Sequence, residues 1–160
     1  RLDLVLADSP IPPGMNIRCF NHLLGRSRLA CFASSGLIQQ QGNQKFPDVL
    51  NEAPVLLPTD TASGLRTDLL SWFNRTGIAV RIAGEFDDSA LLKAFGSQGH
   101  GYFFAPDVIR EEICAKYQVQ CVGTVHELMQ EFYAISAERR ISHQAVAAIT
   151  RQFAEPLPRA

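Results

Sequence analysis

Short polar segments follow the apolar runs that the sequence predicts as strands, at the point where each strand ends. Ligands of open parallel sheets bind beyond the carboxyl ends of the strands, so these segments are the natural place for chemistry. Hydroxyl groups and helix N-termini there suit an anion, whereas converging carboxylates suit a cation with hard oxygen ligands. The candidate ligand-binding residues are Asp8, Ser9, Thr59, Asp60, Thr61, Asp87, Asp88 and His100.

Each Asp and Thr in this set has a second interpretation as a helix N-cap, which stabilises a helix by about 1 kcal/mol. His100 lies in a glycine cluster, residues 96–101, that follows a predicted helix and precedes a strand. A nucleotide fingerprint needs the reverse order, strand then glycines then helix, so that helix amides face the phosphates. Helix C-capping and close helix-to-strand contact explain these glycines better, and a structural role is the alternative for His100.

Neither covalent catalysis nor a structural metal is indicated. The four cysteines form no CxxC pair and the four histidines no HxxxH pair, so a zinc site is not predicted. Ser63-Gly64 does not form a GxSxG motif, and no carboxylates are spaced as an acid/base pair. The sequence therefore predicts that the chain is not an enzyme and carries no cofactor.

The elements that must position the candidate residues alternate along the chain. An apolar strand, residues 2–7, precedes a predicted hairpin of residues 17–24 and 27–33 around Gly25-Arg26, and a polar surface loop at 34–47. Strands at 55–57, 78–86, 102–105 and 119–122 then alternate with helices at 62–76, 88–98 and 107–117. An extended run from Leu128 leads to a last helix that begins near Ser142. This alternation predicts an α/β fold with a parallel sheet and right-handed crossovers.

The helical spacing also predicts which side chains are buried. The first of these helices places Leu65, Leu69, Trp72, Phe73 and Thr76 on one stripe. The second helix is predicted to bury Leu91, Leu92 and Phe95. The third is predicted to bury Ile109, Ile113 and Tyr117.

Length and composition limit the class of protein. The chain has 160 residues, enough for one domain or two small lobes, with 46% hydrophobic and 19% charged residues, which excludes disorder. A net charge of -1 provides no basic excess for binding nucleic acid. Neither a signal peptide nor a long apolar run is present, which predicts a cytoplasmic setting with reduced thiols. The start on Arg1, directly before a strand, predicts a piece of a longer protein.

Several stretches of the chain resemble LysR-type transcriptional regulators, in particular those that activate sodium/proton antiporter genes. The resemblance spans nearly the whole chain and is strongest from Leu65 to Arg140. It is carried by GEFDDSALLKAFG at 84–96, FFAP at 103–106, EFYAISAER at 131–139, LLSWFN at 69–74 and LDLVLAD at 2–8.

The resemblance implies a type 2 periplasmic-binding-protein-like fold of two Rossmann-like α/β lobes around an effector. Residues 1–13 and 128–160 would form an incomplete lobe I, and residues 14–127 lobe II, with the DNA-binding winged helix-turn-helix absent from this chain. Sodium or lithium is the implied effector. The implied partners are a second copy of the chain in a homodimer, DNA through the missing domain, and RNA polymerase, with no membrane.

The leading hypothesis is therefore an effector-sensing regulatory domain in which effector occupancy shifts the population of lobe arrangements. The alternative class is a solute-binding protein, or a small α/β enzyme that binds a polar ligand between lobes. An enzyme would need a nucleophile or acid/base pair, and an exported binding protein would need a leader.

Overall fold

A computed structural model describes residues 4–7, 20–59 and 64–136. The predicted helix after Ser142 lies outside them. The elements, in chain order, are β1 (Leu4–Ala7), β2 (Phe20–Ala33), α1 (Ser35–Gln41), β3 (Pro54–Pro58), α2 (Leu65–Thr76), β4 (Arg81–Phe86), α3 (Ser89–Ser97), β5 (Phe103–Pro106), α4 (Arg110–Tyr117) and β6 (Gln120–Ser136). Short 3-10 turns cover Asp48–Leu50 and Asp107–Ile109. None of the described helices is long and apolar enough to cross a membrane.

The sheet structure is mixed rather than purely parallel. β3 and β4 pair in parallel from Pro54↔Arg81 to Pro58↔Phe86, and a parallel bridge joins Val55 to Tyr102, just before β5. A four-stranded sheet has the order β1-β6-β2-β5, with β1 antiparallel to β6 and β2 antiparallel to β5. The predicted α/β class is confirmed, and the parallel pairing holds for the strands that carry Thr59 and Asp87.

The predicted hairpin around Gly25-Arg26 is wrong, because β2 runs without interruption through both residues. Arg26 forms an ion pair with Glu131 of the neighbouring strand β6, with 3.4 Å between Nε and Oε1. β6 is also one strand of 17 residues, where the sequence predicted a short strand and a later extended run. Distant chain segments provide the pairing partners here, and these outweigh the local turn preference of glycine.

The predicted surface loop at 34–47 is also wrong in part, because α1 forms within it. The Ser34 hydroxyl caps this helix by accepting a hydrogen bond from the Leu37 backbone N–H at 3.2 Å. Leu37 is buried, and the Phe46 ring lies 6.0 Å from the Trp72 ring, centroid to centroid. Two apolar anchors therefore hold a segment whose composition is mostly polar.

Contacts divide the chain into two compact units, Arg1–Ser27 with Met129–Ala160, and Arg28–Leu128. In Arg28–Leu128 the strand β2 is apolar on both faces. Along β2, Leu29, Cys31 and Ala33 belong to one buried cluster, and Ala30 and Phe32 to another. Such alternation is expected for a strand covered on both sides.

Helices cover both of these clusters. Leu69, Trp72 and Phe73 of α2 are buried in the first, as their spacing predicted. Leu92 of α3 and Ile113 of α4 are buried in the second. The prediction that Leu91 and Phe95 point inward is wrong, since they are 50% and 39% exposed. A short helix on a sheet buries only a narrow stripe, and Leu92 occupies it.

Leu56 of β3 fits closely between two glycines. A Cβ atom at Gly101 would lie 2.9 Å from Leu56 Cγ, and one at Gly84 would lie 3.3 Å from Leu56 Cδ2. These distances are shorter than ordinary carbon contacts of about 3.5–4.0 Å. Glycine at both positions therefore lets the neighbouring backbones approach the Leu56 side chain.

Candidate functional site

The parallel pairing of β3 and β4 brings Thr59 and Asp87 together at one edge of the sheet. The strands end side by side at Pro58↔Phe86, and the Thr59 backbone N–H donates to the Phe86 carbonyl at 3.0 Å. The Thr59 hydroxyl donates a hydrogen bond to the Asp87 carboxylate. Asp87 is exposed, so its carboxylate remains open to solvent.

Asp88 has a different structural role from Asp87. Its side chain caps α3, with Oδ1 accepting a hydrogen bond from the Ala90 backbone N–H at 2.8 Å. The helix-cap interpretation therefore applies to Asp88, which leaves Asp87 as the carboxylate that faces Thr59. Asp88 still adds negative charge to this edge of the sheet.

Arg66 is a residue at this edge that the sequence interpretation missed. Its Nη2 lies 2.9 Å from Glu85 Oε1, and its Nη1 donates to the Pro58 carbonyl at 3.2 Å. Arg66 therefore links the start of α2 to the ends of both strands. A basic residue in the first turn of a helix is unfavourable because it opposes the helix dipole. The presence of Arg66 at that position was the feature of the sequence that could have indicated a role for it.

His100 lies apart from these residues. It precedes β5, and the parallel bridge between Val55 and Tyr102 places that position beside the amino end of β3, opposite to Thr59. The His100 ring lies 5.4 Å from the Phe95 ring, and its backbone N–H donates to the Phe95 carbonyl at 3.3 Å. The structure therefore does not group His100 with Thr59 and Asp87.

The end of β5 carries an internal ion pair. Arg110 Nε donates to Asp107 Oδ1 at 2.7 Å, and Arg110 Nη2 donates to the Thr124 hydroxyl at 2.8 Å. The hydrogen bond with Asp107 raises the pKa of Arg110. Asp107 is thus neutralised by its own neighbour, unlike Asp87.

Four further candidates, Asp8, Ser9, Asp60 and Thr61, lie outside the described residues. Within 20–59 and 64–136, no group of three or more His, Cys, Asp or Glu side chains is arranged to hold a metal ion. The described part of the candidate site therefore consists of the Thr59–Asp87 pair with Arg66, Glu85 and Asp88 around it. We call this set the strand-end edge.

Comparison with known proteins identifies the family. Residues 1–157 match the LysR substrate binding domain. The chain belongs to the LysR family. It is also 37% identical over 149 residues to the transcriptional activator protein NhaR of Escherichia coli strain K12, an alignment that covers 93% of this chain and 48% of that protein. The chain thus spans about half the length of the curated relatives it matches, and the family and these relatives are transcriptional regulators rather than enzymes.

Solved structures of LysR effector-binding domains share this fold. The effector-binding domain of QuiR in complex with shikimate superposes with a TM-score of 0.60 at 16% identity, covering 94% of this chain and 69% of that one. The BenM effector-binding domain with its effector benzoate gives 0.59 at 16% identity, covering 97% and 73%. The fold is therefore of the LysR effector-binding type, which is the type 2 periplasmic-binding-protein-like class that the family resemblance implied.

Proposed function

We propose that this chain is the effector-sensing part of a LysR-type transcriptional activator, and that the effector binds at the strand-end edge. The observation that carries this proposal is the pairing of Thr59 and Asp87 at the adjoining carboxyl ends of two parallel strands. Ligands of such sheets bind beyond these ends. DNA is bound by a winged helix-turn-helix outside these residues, and RNA polymerase is the further partner of the whole activator in the cytoplasm.

Arg66 could couple ligand binding at the strand-end edge to the position of α2. A ligand that draws on Asp87 or Glu85 changes the partners of Arg66, which joins α2 to the ends of β3 and β4. An effector that binds one arrangement of these groups more tightly shifts the population toward it. The proposed output is a change in how the whole protein holds its DNA-binding part.

Sodium or lithium is the effector that we propose. The hydroxyl of Thr59 and the exposed carboxylate of Asp87 are hard oxygen ligands, and Asp88 adds a second negative charge nearby. The second candidate is a small organic carboxylate, which Arg66 favours because a guanidinium binds carboxylates through paired hydrogen bonds. Shikimate and benzoate, which occupy the QuiR and BenM domains, are of that class.

The test compares ions at equal ionic strength on the full-length protein. Sodium or lithium, but not potassium, is expected to change the DNA footprint and to raise the melting temperature. Asp87→Asn is expected to abolish this difference, because it keeps the side chain's size and removes the charge. Asp48→Asn is the matched control, since Asp48 is also exposed but precedes β3 at its amino end.

An equal response to all three ions, or a sodium response unchanged in Asp87→Asn, would remove the proposed ion site. A response to benzoate or shikimate that is lost in Arg66→Met would instead support the organic carboxylate. Loss of both kinds of response in the Asp48→Asn control would show that the assay reports stability rather than binding.

We further propose that α3 forms part of the contact in a homo-oligomer. Leu91 and Phe95 lie one helical turn apart and are both large, apolar and exposed, and Phe95 packs 5.3 Å from the ring of Phe86. Exposed apolar side chains that lie side by side are candidates for an interaction surface. The double variant Leu91→Gln/Phe95→Gln is expected to shift the full-length protein to a smaller mass in sedimentation analysis. An unchanged mass would place the contact elsewhere.

A further inference from the structure

A pocket of about 600 Å³ lies in the Arg28–Leu128 unit, among residues that do not belong to the strand-end edge. Its lining includes Lys45, Phe46, Trp72, Gly123, His126 and Glu127. This volume falls within the range of about 300–1,000 Å³ that is usual for small-molecule sites. The pocket is therefore large enough for a metabolite-sized ligand.

The half-buried Phe46 ring forms the apolar wall of the pocket, and the buried Trp72 ring packs against it. The Phe46 and Trp72 rings stand 6.0 Å apart at an interplanar angle of 22°. Phe46 lies directly over the backbone of Gly123, where an added Cβ atom would come within 2.3 Å of Phe46 Cδ1. Gly123 thus determines where the Phe46 ring stands. Trp72 is only 3% exposed and is fixed by packing against Phe73 and Phe104.

The polar groups of the pocket have unused bonding capacity. Glu127 Oε2 accepts a hydrogen bond from Trp72 Nε1 at 3.1 Å, which fixes the carboxylate and leaves Oε1 open. The side chains of Lys45 and His126 are exposed, and within the described ranges neither forms a hydrogen bond or ion pair. An anchored carboxylate, a lysine ammonium group and an imidazole therefore line the pocket together with the Phe46 ring.

The opposite charges of Lys45 and Glu127 indicate which class of ligand the pocket would bind. Lys45 contributes a positive charge and Glu127 a negative one, so a ligand with one charge only would leave the opposite group unmatched. We propose that this pocket binds a small zwitterion, a compound that joins an ammonium group and a carboxylate to an apolar or aromatic body. Its ammonium group binds Glu127, its carboxylate binds Lys45 and His126, and its apolar body packs against Phe46, which in turn contacts Trp72.

This site is independent of the proposed effector at the strand-end edge, since it shares no residue with it. Glu127 immediately precedes Leu128, the last residue of its unit. A ligand held by Glu127 therefore contacts β6, the strand that carries this residue.

The experiment uses the full-length protein and three matched probes, which are phenylalanine, phenethylamine and hydrocinnamate. The second probe lacks the carboxylate and the third lacks the ammonium group. Calorimetry is expected to show tightest binding for phenylalanine. Glu127→Gln is expected to weaken phenylalanine binding at least about tenfold, the effect of losing one charged hydrogen bond, without changing hydrocinnamate binding. Lys45→Gln is expected to weaken phenylalanine and hydrocinnamate but not phenethylamine.

Trp72 is the single tryptophan of this chain. The part of the tryptophan fluorescence that disappears in the Trp72→Phe variant therefore comes from Trp72 and reports on its surroundings. A phenylalanine-dependent change in that emission supports the proposal. Glu112→Gln, at an exposed site on α4, is the control and is expected to bind all three probes like the parent. No binding of any probe, tighter binding of hydrocinnamate than of phenylalanine, or full binding by both Glu127→Gln and Lys45→Gln would overturn the zwitterion site.

Discussion

Replacing Gly96 with alanine tests how closely α3 packs on the sheet. A Cβ atom at Gly96 would lie 2.3 Å from Phe103 Cδ1 and 2.5 Å from Cε1. Carbon atoms prefer separations of about 3.5–4.0 Å, so the ring must move by roughly 1 Å. Phe103 is fully buried and stacks on Phe32 with 5.6 Å between ring centroids, which leaves no room for that movement.

The size of the effect follows from two opposing contributions. Overpacking a closed core costs about 1–3 kcal/mol, and more when backbone must shift. Alanine is a better helix former than glycine by at most about 1 kcal/mol, and Gly96 lies near the end of α3, where the gain is smaller. We therefore expect Gly96→Ala to lose about 2 kcal/mol of unfolding free energy, which corresponds to a melting temperature lower by about 4–8 °C for a chain of this size.

Thermal unfolding followed by far-ultraviolet circular dichroism measures this change. Gly36→Ala is the matched control, because Gly36 lies in α1 and an added Cβ atom would meet nothing within 4 Å. That variant is expected to melt at the parental temperature or slightly above it. If Gly96→Ala melts as high as Gly36→Ala, the close contact between α3 and β5 does not exist.

Three further predictions concern single side chains. Asp88→Ala is expected to lower the unfolding free energy by about 1 kcal/mol in urea titrations, whereas Asp88→Asn keeps a capping oxygen and should not. Arg66→Met is expected to cost under about 1 kcal/mol, because the side chain of its partner Glu85 is about half exposed, yet to change the effector response in the footprint assay. Burial raises the pKa of the Cys31 thiol, so the folded protein holds this proton more tightly than the unfolded chain. Stability is then full below the ordinary thiol pKa of 9.0 and falls as the pH rises past it, and Cys31→Ala should flatten this dependence in unfolding titrations.

Local patterns were sufficient to predict the part of the fold that carries the strand-end edge. The apolar run of β3 and the polar residues after it predicted a buried parallel strand, and β4 pairs beside it with Asp87 next to Thr59. The helical spacing of Leu69, Trp72 and Phe73 predicted the buried face of α2. In both cases the signal lies within a short window, because burial on a regular element repeats with a fixed period.

The errors arose where distant segments decide the structure. Gly25-Arg26 has the composition of a turn, but Arg26 finds its partner Glu131 on β6, which no local window contains. α1 depends on the burial of Leu37 against residues far along the chain, and its capping residue Ser34 was a signal that outweighs the polar composition. Arg66 was missed because its partners, Glu85 and the Pro58 carbonyl, come together only once β3 and β4 pair.

The close fit of Leu56 between Gly84 and Gly101 limits which substitutions these positions can accept during evolution. Alanine at Gly101 meets Leu56 at 2.9 Å and is excluded while leucine is present. A smaller residue at position 56 would remove this contact but leave the added Cβ 3.1 Å from the Pro54 carbonyl oxygen, so it would relieve only part of the strain. The free energies of the single and double variants should therefore not add, because the cost of alanine at position 101 depends on which residue occupies position 56.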